Sequence, residues 1–208
     1  MPLLKENQVK QGVYWGIWNI TESEEHLHQA YPFEEVKSEL GNIKIELRRK
    51  QWLAGRILVG ELLKKRSLPF EGIWKDQHEK AFLKDSNFSI SLSHSGDYAV
   101  AIVDEYKSTG IDIEMVQPKI HRVAGRILNE AEMNLAGENT KELTAYWCAK
   151  EALYKLYGKR EVIFKEELFI EKPNGDSNFM GKVRKNGFNK NIPMKADEFG
   201  DFMIVHSH

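Results

Sequence analysis

Two stretches of the chain carry apolar residues at helical spacing. From Ile45 to Arg66, the positions Trp52, Leu53, Ile57, Leu58, Leu62 and Leu63 form one stripe, as expected of a helix with one face in a core. From Glu138 to Tyr157 Leu143, Trp147, Leu153 and Leu156 recur at roughly the same period without an interior breaker, and Gly158 stands where such a helix takes its closing glycine. Shorter helices are expected from Thr21, which has capping-box spacing to Glu24, to Tyr31-Pro32; over Glu34–Leu40, stopped by Gly41-Asn42; and after Asn129, with Glu132 three residues on. Leu68-Pro69-Phe70 ends the long first helix.

A period of two marks the strands. Val13–Ile20 is rich in β-formers. Phe88–Ser93 alternates apolar and hydroxyl residues, His94–Asp97 has turn chemistry, and Tyr98–Val103 reads as the return strand of a hairpin. After a turn at Asp104–Ser108, Thr109–Glu114 alternates again, so three consecutive antiparallel strands are expected. Gly72–Lys84 reads as a polar connector anchored by Trp74 and Phe82. Glu167–Glu171, Phe179–Arg184 and Phe202–His206 are late strands, with a hairpin turn at Asn174-Gly175. This order predicts an α/β chain of the α+β kind. It has two similar halves, 1–106 and 107–208, each a small, mainly antiparallel sheet packed with a long helix.

Composition narrows the function. The 208 residues are 41% hydrophobic, enough for packed cores, and the net charge of −1 argues against a general nucleic-acid binder. The single cysteine, Cys148, makes no internal disulfide and fits a reducing compartment; within a helical run it reads as a small buried residue. No apolar run approaches the roughly 20 residues of a membrane span. The opening Met-Pro-Leu-Leu-Lys-Glu lacks a signal-peptide layout. A cytoplasmic protein without membrane partners is expected.

Two acidic sites carry the chemistry. In Thr109-Gly-Ile-Asp-Ile-Glu114 the residues Asp112 and Glu114 share one strand face, with Ile111 and Ile113 on the other. In Trp147-Cys-Ala-Lys-Glu-Ala-Leu-Tyr-Lys155 the residues Trp147, Glu151 and Lys155 follow at four-residue steps along one helix face. Taken separately, each reads first as solvated surface, and an exposed pair of this kind is worth about 0.3–0.5 kcal/mol. Together, neighbouring carboxylates need a cation to offset their repulsion, and oxygen-only ligands suit Mg²⁺ bound to a phosphate substrate. His94 follows a strand at its polar end, where an anion can be met. Arg49 and Arg56, seven apart, are either solvated or phosphate contacts. Ser93, His94 and Asp97 also contain the residue types of a hydrolase triad, but adjacency in one turn is not triad geometry.

Three blocks in order, Ser91-Leu-Ser-His-Ser-Gly96, Gly110-Ile-Asp-Ile-Glu114 and Trp147–Lys155 followed by Gly158-Lys159, resemble the 4'-phosphopantetheinyl transferase superfamily, in particular its longer, surfactin-synthetase-activating branch. The resemblance implies a monomeric pseudo-dimer of two α/β halves with coenzyme A in the cleft between them. It implies Mg²⁺ held by Asp112, Glu114 and Glu151, with Glu151 also the general base. Lys155 would contact the coenzyme A phosphates, Ser93 and His94 the nucleotide, and His94 its 3'-phosphate. Lys80 corresponds to the lysine of a Gly-Lys-Pro motif that here reads Glu79-Lys80-Ala81, and Arg49 and Arg56 fall where the family has basic phosphate contacts. The implied reaction passes phosphopantetheine from coenzyme A to a serine of an apo acyl or peptidyl carrier protein. Carrier domains are typically acidic, which suits the basic Lys119, His121, Arg122 and Arg126 as a docking edge. The rival readings are another Mg²⁺-dependent phosphate enzyme, such as a phosphohydrolase, and a nucleotide-binding module without chemistry.

Overall fold

The computed structural model describes residues 3–172, 177–185 and 187–208, and it divides into two units, 1–108 and 109–208. The expected hairpin turn at Asn174-Gly175 lies outside the described residues. Each unit is an antiparallel sheet packed with helices, so the chain is α+β with two similar subdomains. No described helix is long and apolar enough to cross a membrane.

In the first unit the strands β1 (Leu3–Lys10), β2 (Val13–Asn19), β3 (Ile73–Lys75), β4 (Ala81–Leu83), β5 (Ser89–Ser95) and β6 (Tyr98–Asp104) lie in the order β1-β2-β6-β5-β4-β3. The helices are α1 (Glu24–Ala30), α2 (Glu35–Leu40) and α3 (Glu46–Lys64). The apolar stripe of α3 enters a core in which Leu53, Leu58 and Leu62 join Tyr14, Ile73, Ile90 and Ala101. Burial of this stripe, at about 25 cal/mol per Å², is what holds the helix on its sheet.

Several local expectations change. Ser23, not Thr21, caps α1: its backbone is extended and its hydroxyl accepts the His26 N–H at 3.3 Å. The 72–84 connector is a hairpin, β3 with β4, and Trp74 and Phe82 are a cross-strand stacked pair 4.9 Å apart. His94 lies inside β5 opposite Ala99. The turn shrinks to Gly96-Asp97 because Ser95 pairs with Tyr98 and Gly96 takes φ +55. The three-strand expectation fails at its third member. β6 already has β2 and β5 on its two edges, so the strand carrying Asp112 pairs elsewhere.

That strand, β7 (Ile111–Met115), belongs to the second unit, ordered β7-β11-β10-β9-β8. Its partners are β8 (Leu168–Glu171), β9 (Asn178–Lys185), β10 (Phe188–Phe199) and β11 (Phe202–Ser207). A 3-10 turn (Pro118–Ile120) leads to α4 (His121–Ile127), α5 (Glu130–Ala136), α6 (Thr140–Tyr157) and α7 (Phe164–Glu167). Asn129 and Glu132 form the full capping box of α5, and Gly158 ends α6 in the left-handed region. Leu143, Tyr146, Ala149 and Leu153 of α6 pack against Ile170, Phe179, Val183 and Met203 in the second core. Beneath α6, Lys150 is fully buried. It donates to the Ile127 and Phe164 carbonyls and to the equally buried Glu132 carboxylate at 2.7 Å. That network ties α4, α5 and α7 to the helix carrying Glu151.

Candidate active site

The acidic strand and the long helix of the second unit meet through their side chains. Asp112 is buried, with 4% of its surface exposed. Its Oδ1 accepts from Lys155 Nζ at 2.7 Å, and the same ammonium reaches the Ile111 carbonyl at 3.3 Å. Two residues along β7, Glu114 Oε1 accepts from the Trp147 indole at 3.3 Å. Trp147 is held in turn by stacking on Phe164, ring centroids 5.8 Å apart. The four-residue steps of α6 and the two-residue step of β7 thus bring Trp147 to Glu114 and Lys155 to Asp112, with Glu151 between them on α6.

Glu151 reports the local field. Its carboxyl is pushed up to about 7, first by burial and then by the charge of Asp112; Lys155 works against the rise and Glu114 adds to it. A carboxyl near 7 that neighbours two others is poised either to hold a proton or to share a cation. Burial, then the charges of Asp112 and Glu114, push the Cys148 thiol well up, so this fully buried cysteine is a packed side chain and not a nucleophile.

The donor set fits a hard divalent ion: three carboxylates, with no nitrogen or sulfur among them. Among the described residues no three His, Cys, Asp or Glu side chains are already gathered at metal-holding distances. The cation now resting on Asp112 is the Lys155 ammonium.

The first unit holds a different group. Ser93 and His94 stand near the end of β5, and His94 Nδ1 lies 3.1 Å from Arg48 Nη1. Arg48 also donates to the Gln51 side-chain oxygen at 3.2 Å, and Gln51 donates to the Gly96 carbonyl at 2.7 Å. Neither Arg48 nor Gln51 is among the sequence-derived candidates. Arg49, which is, points elsewhere: it clamps Glu24 at 2.7 and 2.8 Å and reaches the carbonyls of Ile43 and Lys44. Arg56 is buried, stacked 3.4 Å over Trp52 and paired with Glu39 at 3.2 Å. Both arginines therefore carry structural contacts within their unit. Lys80 closes a turn in which Asp76 accepts its backbone N–H at 3.0 Å, and burial holds its ammonium below the usual lysine range. It lines a groove of about 670 Å³ with Trp74, Phe82, Tyr106 and Lys107.

A second groove, of about 310 Å³, opens directly beside Glu114 and Trp147; Met115, Ile120 and Val123 make it apolar, with Lys119 and Arg122 among its lining residues.

Residues 108–185, the stretch that builds the carboxylate–lysine site, match the 4'-phosphopantetheinyl transferase superfamily. The 4'-phosphopantetheinyl transferase AcpT of Salmonella typhi is 32% identical over 120 residues, which are 54% of this chain and 60% of that protein. The 4'-phosphopantetheinyl transferase psf-1 of Bacillus pumilus is 31% identical over 119 residues, 53% of this chain and 51% of that protein. The mouse L-aminoadipate-semialdehyde dehydrogenase-phosphopantetheinyl transferase is 26% identical over 174 residues, 71% of this chain and 56% of its own. The matches thus span little more than half the length of these curated relatives, and they bear out the resemblance carried by the three sequence blocks.

Proposed function

We propose that the chain is a holo-carrier-protein synthase, moving 4'-phosphopantetheine from coenzyme A to a serine hydroxyl of an apo acyl or peptidyl carrier protein in a Mg²⁺-dependent reaction. One observation carries this reading. Asp112, Glu114, Glu151 and Lys155 act on one another in the segment that matches the superfamily.

In the proposed step the serine oxygen forms a bond to the β-phosphorus of coenzyme A, the bridging P–O bond breaks, and 3',5'-ADP leaves with the bond's electron pair. Such transfers depend on positioning and charge stabilisation more than on covalent help. Mg²⁺, when bound by Asp112, Glu114 and Glu151, supplies positive charge to the pyrophosphate. Lys155, already fixed by Asp112 and the Ile111 carbonyl, places a second positive charge beside the leaving oxygen. Glu151 is assigned to accept the serine proton. Ser93, His94 and Arg48 are assigned to the nucleotide, His94 and Arg48 to its 3'-phosphate, and Lys80 to the same substrate. The apolar groove edged by Lys119 and Arg122 beside Glu114 is suited to an acidic carrier domain.

The test is incubation with coenzyme A, Mg²⁺ and an apo carrier protein, read by intact mass. A gain of one phosphopantetheine on the carrier is expected. Release of inorganic phosphate with an unmodified carrier would instead make this a phosphohydrolase.

A further inference from the structure

We infer that Gly110 is a positioning residue for the transfer: its missing side chain sets the distance between the acidic strand and the helix that bears Glu151 and Lys155. A Cβ at this position would lie 1.9 Å from the Ala152 carbonyl oxygen, 2.9 Å from its carbon and 3.0 Å from the Leu156 nitrogen. All three are backbone atoms, so no side-chain rotation relieves the contact. Ala152 adjoins Glu151, Leu156 adjoins Lys155, and Gly110 lies two residues before Asp112. Gly110 thus meets the α6 backbone next to the residues that carry Glu151 and Lys155.

The opposite side of Gly110 is fixed as well. Its N–H donates to Ser207 Oγ at 3.1 Å, its carbonyl accepts from Ser207 N at 2.9 Å, and the buried Thr109 hydroxyl meets Ser207 Oγ at 3.0 Å. An added methyl group cannot retreat toward β11, so the helix has to yield. Ordinary contact begins at 3.4 Å, and the carbonyl starts at 1.9 Å. A retreat of that order moves the backbone beneath Glu151 and Lys155 away from Asp112. The backbone at Gly110 lies outside the left-handed region that favours glycine, so space and not chain conformation is what excludes a side chain here.

This inference rests on the transferase reading, and the experiment separates the two. Wild type, Gly110→Ala and Gly181→Ala are compared as full chains. Gly181 is the control, because its added Cβ would press on the side-chain ends of Met194 and Leu153, 2.8 and 3.0 Å away, which can shift. Folded fraction is followed by circular dichroism, Mg²⁺ affinity by calorimetry, and transfer by kcat and KM. At a temperature where all three are folded, Gly110→Ala is expected to lose about 100-fold in kcat, the scale of an ångström-sized misplacement. Its Mg²⁺ affinity is expected to fall at least about 10-fold, as for other changes to the support of metal ligands, while Gly181→Ala keeps both. Wild-type Mg²⁺ affinity and kcat in Gly110→Ala overturn the inference, and so do equal losses in the two variants. If Gly110→Ala does not fold, it is measured in trimethylamine N-oxide, which favours compact states. Failure to fold there means a structural role and also overturns the inference. A wild type that binds Mg²⁺ but does not modify the carrier sinks the transferase reading, while the Mg²⁺ comparison still judges Gly110.

Discussion

Replacing Glu151 by Gln removes a carboxyl that the fold holds in an unfavourable place, and the consequence for stability has a definite sign. In the unfolded chain this group titrates near 4.5; in the native protein burial and the Asp112 charge raise it to about 7. Between those values the native state holds a proton that the unfolded state has lost, so wild-type stability falls as pH rises through this window and levels off above about 7. A shift from 4.5 to about 7 corresponds to an upper bound of about 3 kcal/mol at 1.36 kcal/mol per unit. Partial exposure of the side chain reduces this to roughly 1–2 kcal/mol. Gln cannot ionise and escapes the cost. In urea unfolding with a chelator present, Glu151→Gln is therefore expected to match wild type near pH 4.5, to exceed it increasingly up to about pH 7, and to keep a constant margin above that. On the proposed assignment, added Mg²⁺ is expected to narrow the gap by stabilising wild type more than the variant, because it would bind the native state through the ionised carboxylate. Carrier modification by the variant should drop about 10²–10⁴-fold, the usual contribution of a general base. Parallel stability curves across pH in chelator would refute the account of Glu151 as a buried carboxyl strained by its acidic neighbours.

The remaining predictions concern other contacts. Asp112→Asn leaves the Lys155 ammonium without its 2.7 Å carboxylate partner; carrier modification should become undetectable while circular dichroism is unchanged, and near-normal turnover would end the metal assignment. His94→Ala and Arg48→Ala should each raise KM for coenzyme A roughly 10-fold, with less than additive effects in the double variant because the two side chains touch; with 3'-dephospho-coenzyme A the variants should perform like wild type, and an undiminished defect would place the 3'-phosphate elsewhere. Arg122→Glu should raise KM for an acidic carrier about 10-fold and leave kcat alone, as read from steady-state kinetics at low salt. Lys150→Met leaves Glu132 as an unpaired buried charge and should cost about 3–5 kcal/mol in chemical unfolding; a loss below 1 kcal/mol would contradict the buried pair.

The long helices were legible because period and breakers agree: the α3 stripe and the Gly158-terminated α6 both stand where the spacing puts them. The α+β class followed from the same patterns. What the patterns hid are strands without a clean alternation. β1 is a polar edge strand, and β10 carries Asn189, Lys190, Asn191 and Pro193 with Met194 as its one fully buried residue, so neither offers the apolar period by which strands are recognised. Pairing was also beyond a local reading: β7 follows β6 in the chain but joins β11, because both edges of β6 are taken. At the candidate site, spacing singled out Asp112, Glu114, Glu151 and Lys155, and the structure brings Lys155 onto Asp112 and Trp147 onto Glu114. Arg48 escaped notice because neighbouring arginines look alike in a sequence. On a helix they point about 100° apart, so Arg48 turns to His94 while Arg49 turns to Glu24.

The pairing of β7 with β11 also has a bearing on biosynthesis. Asp112 lies opposite Val205 and Glu114 opposite Met203, so the acidic segment waits for about ninety further residues to leave the ribosome before it has a strand to pair with. Non-local closure of this kind is slow compared with helix formation. A nascent chain halted before residue 202 would display the acidic segment without its partner strand.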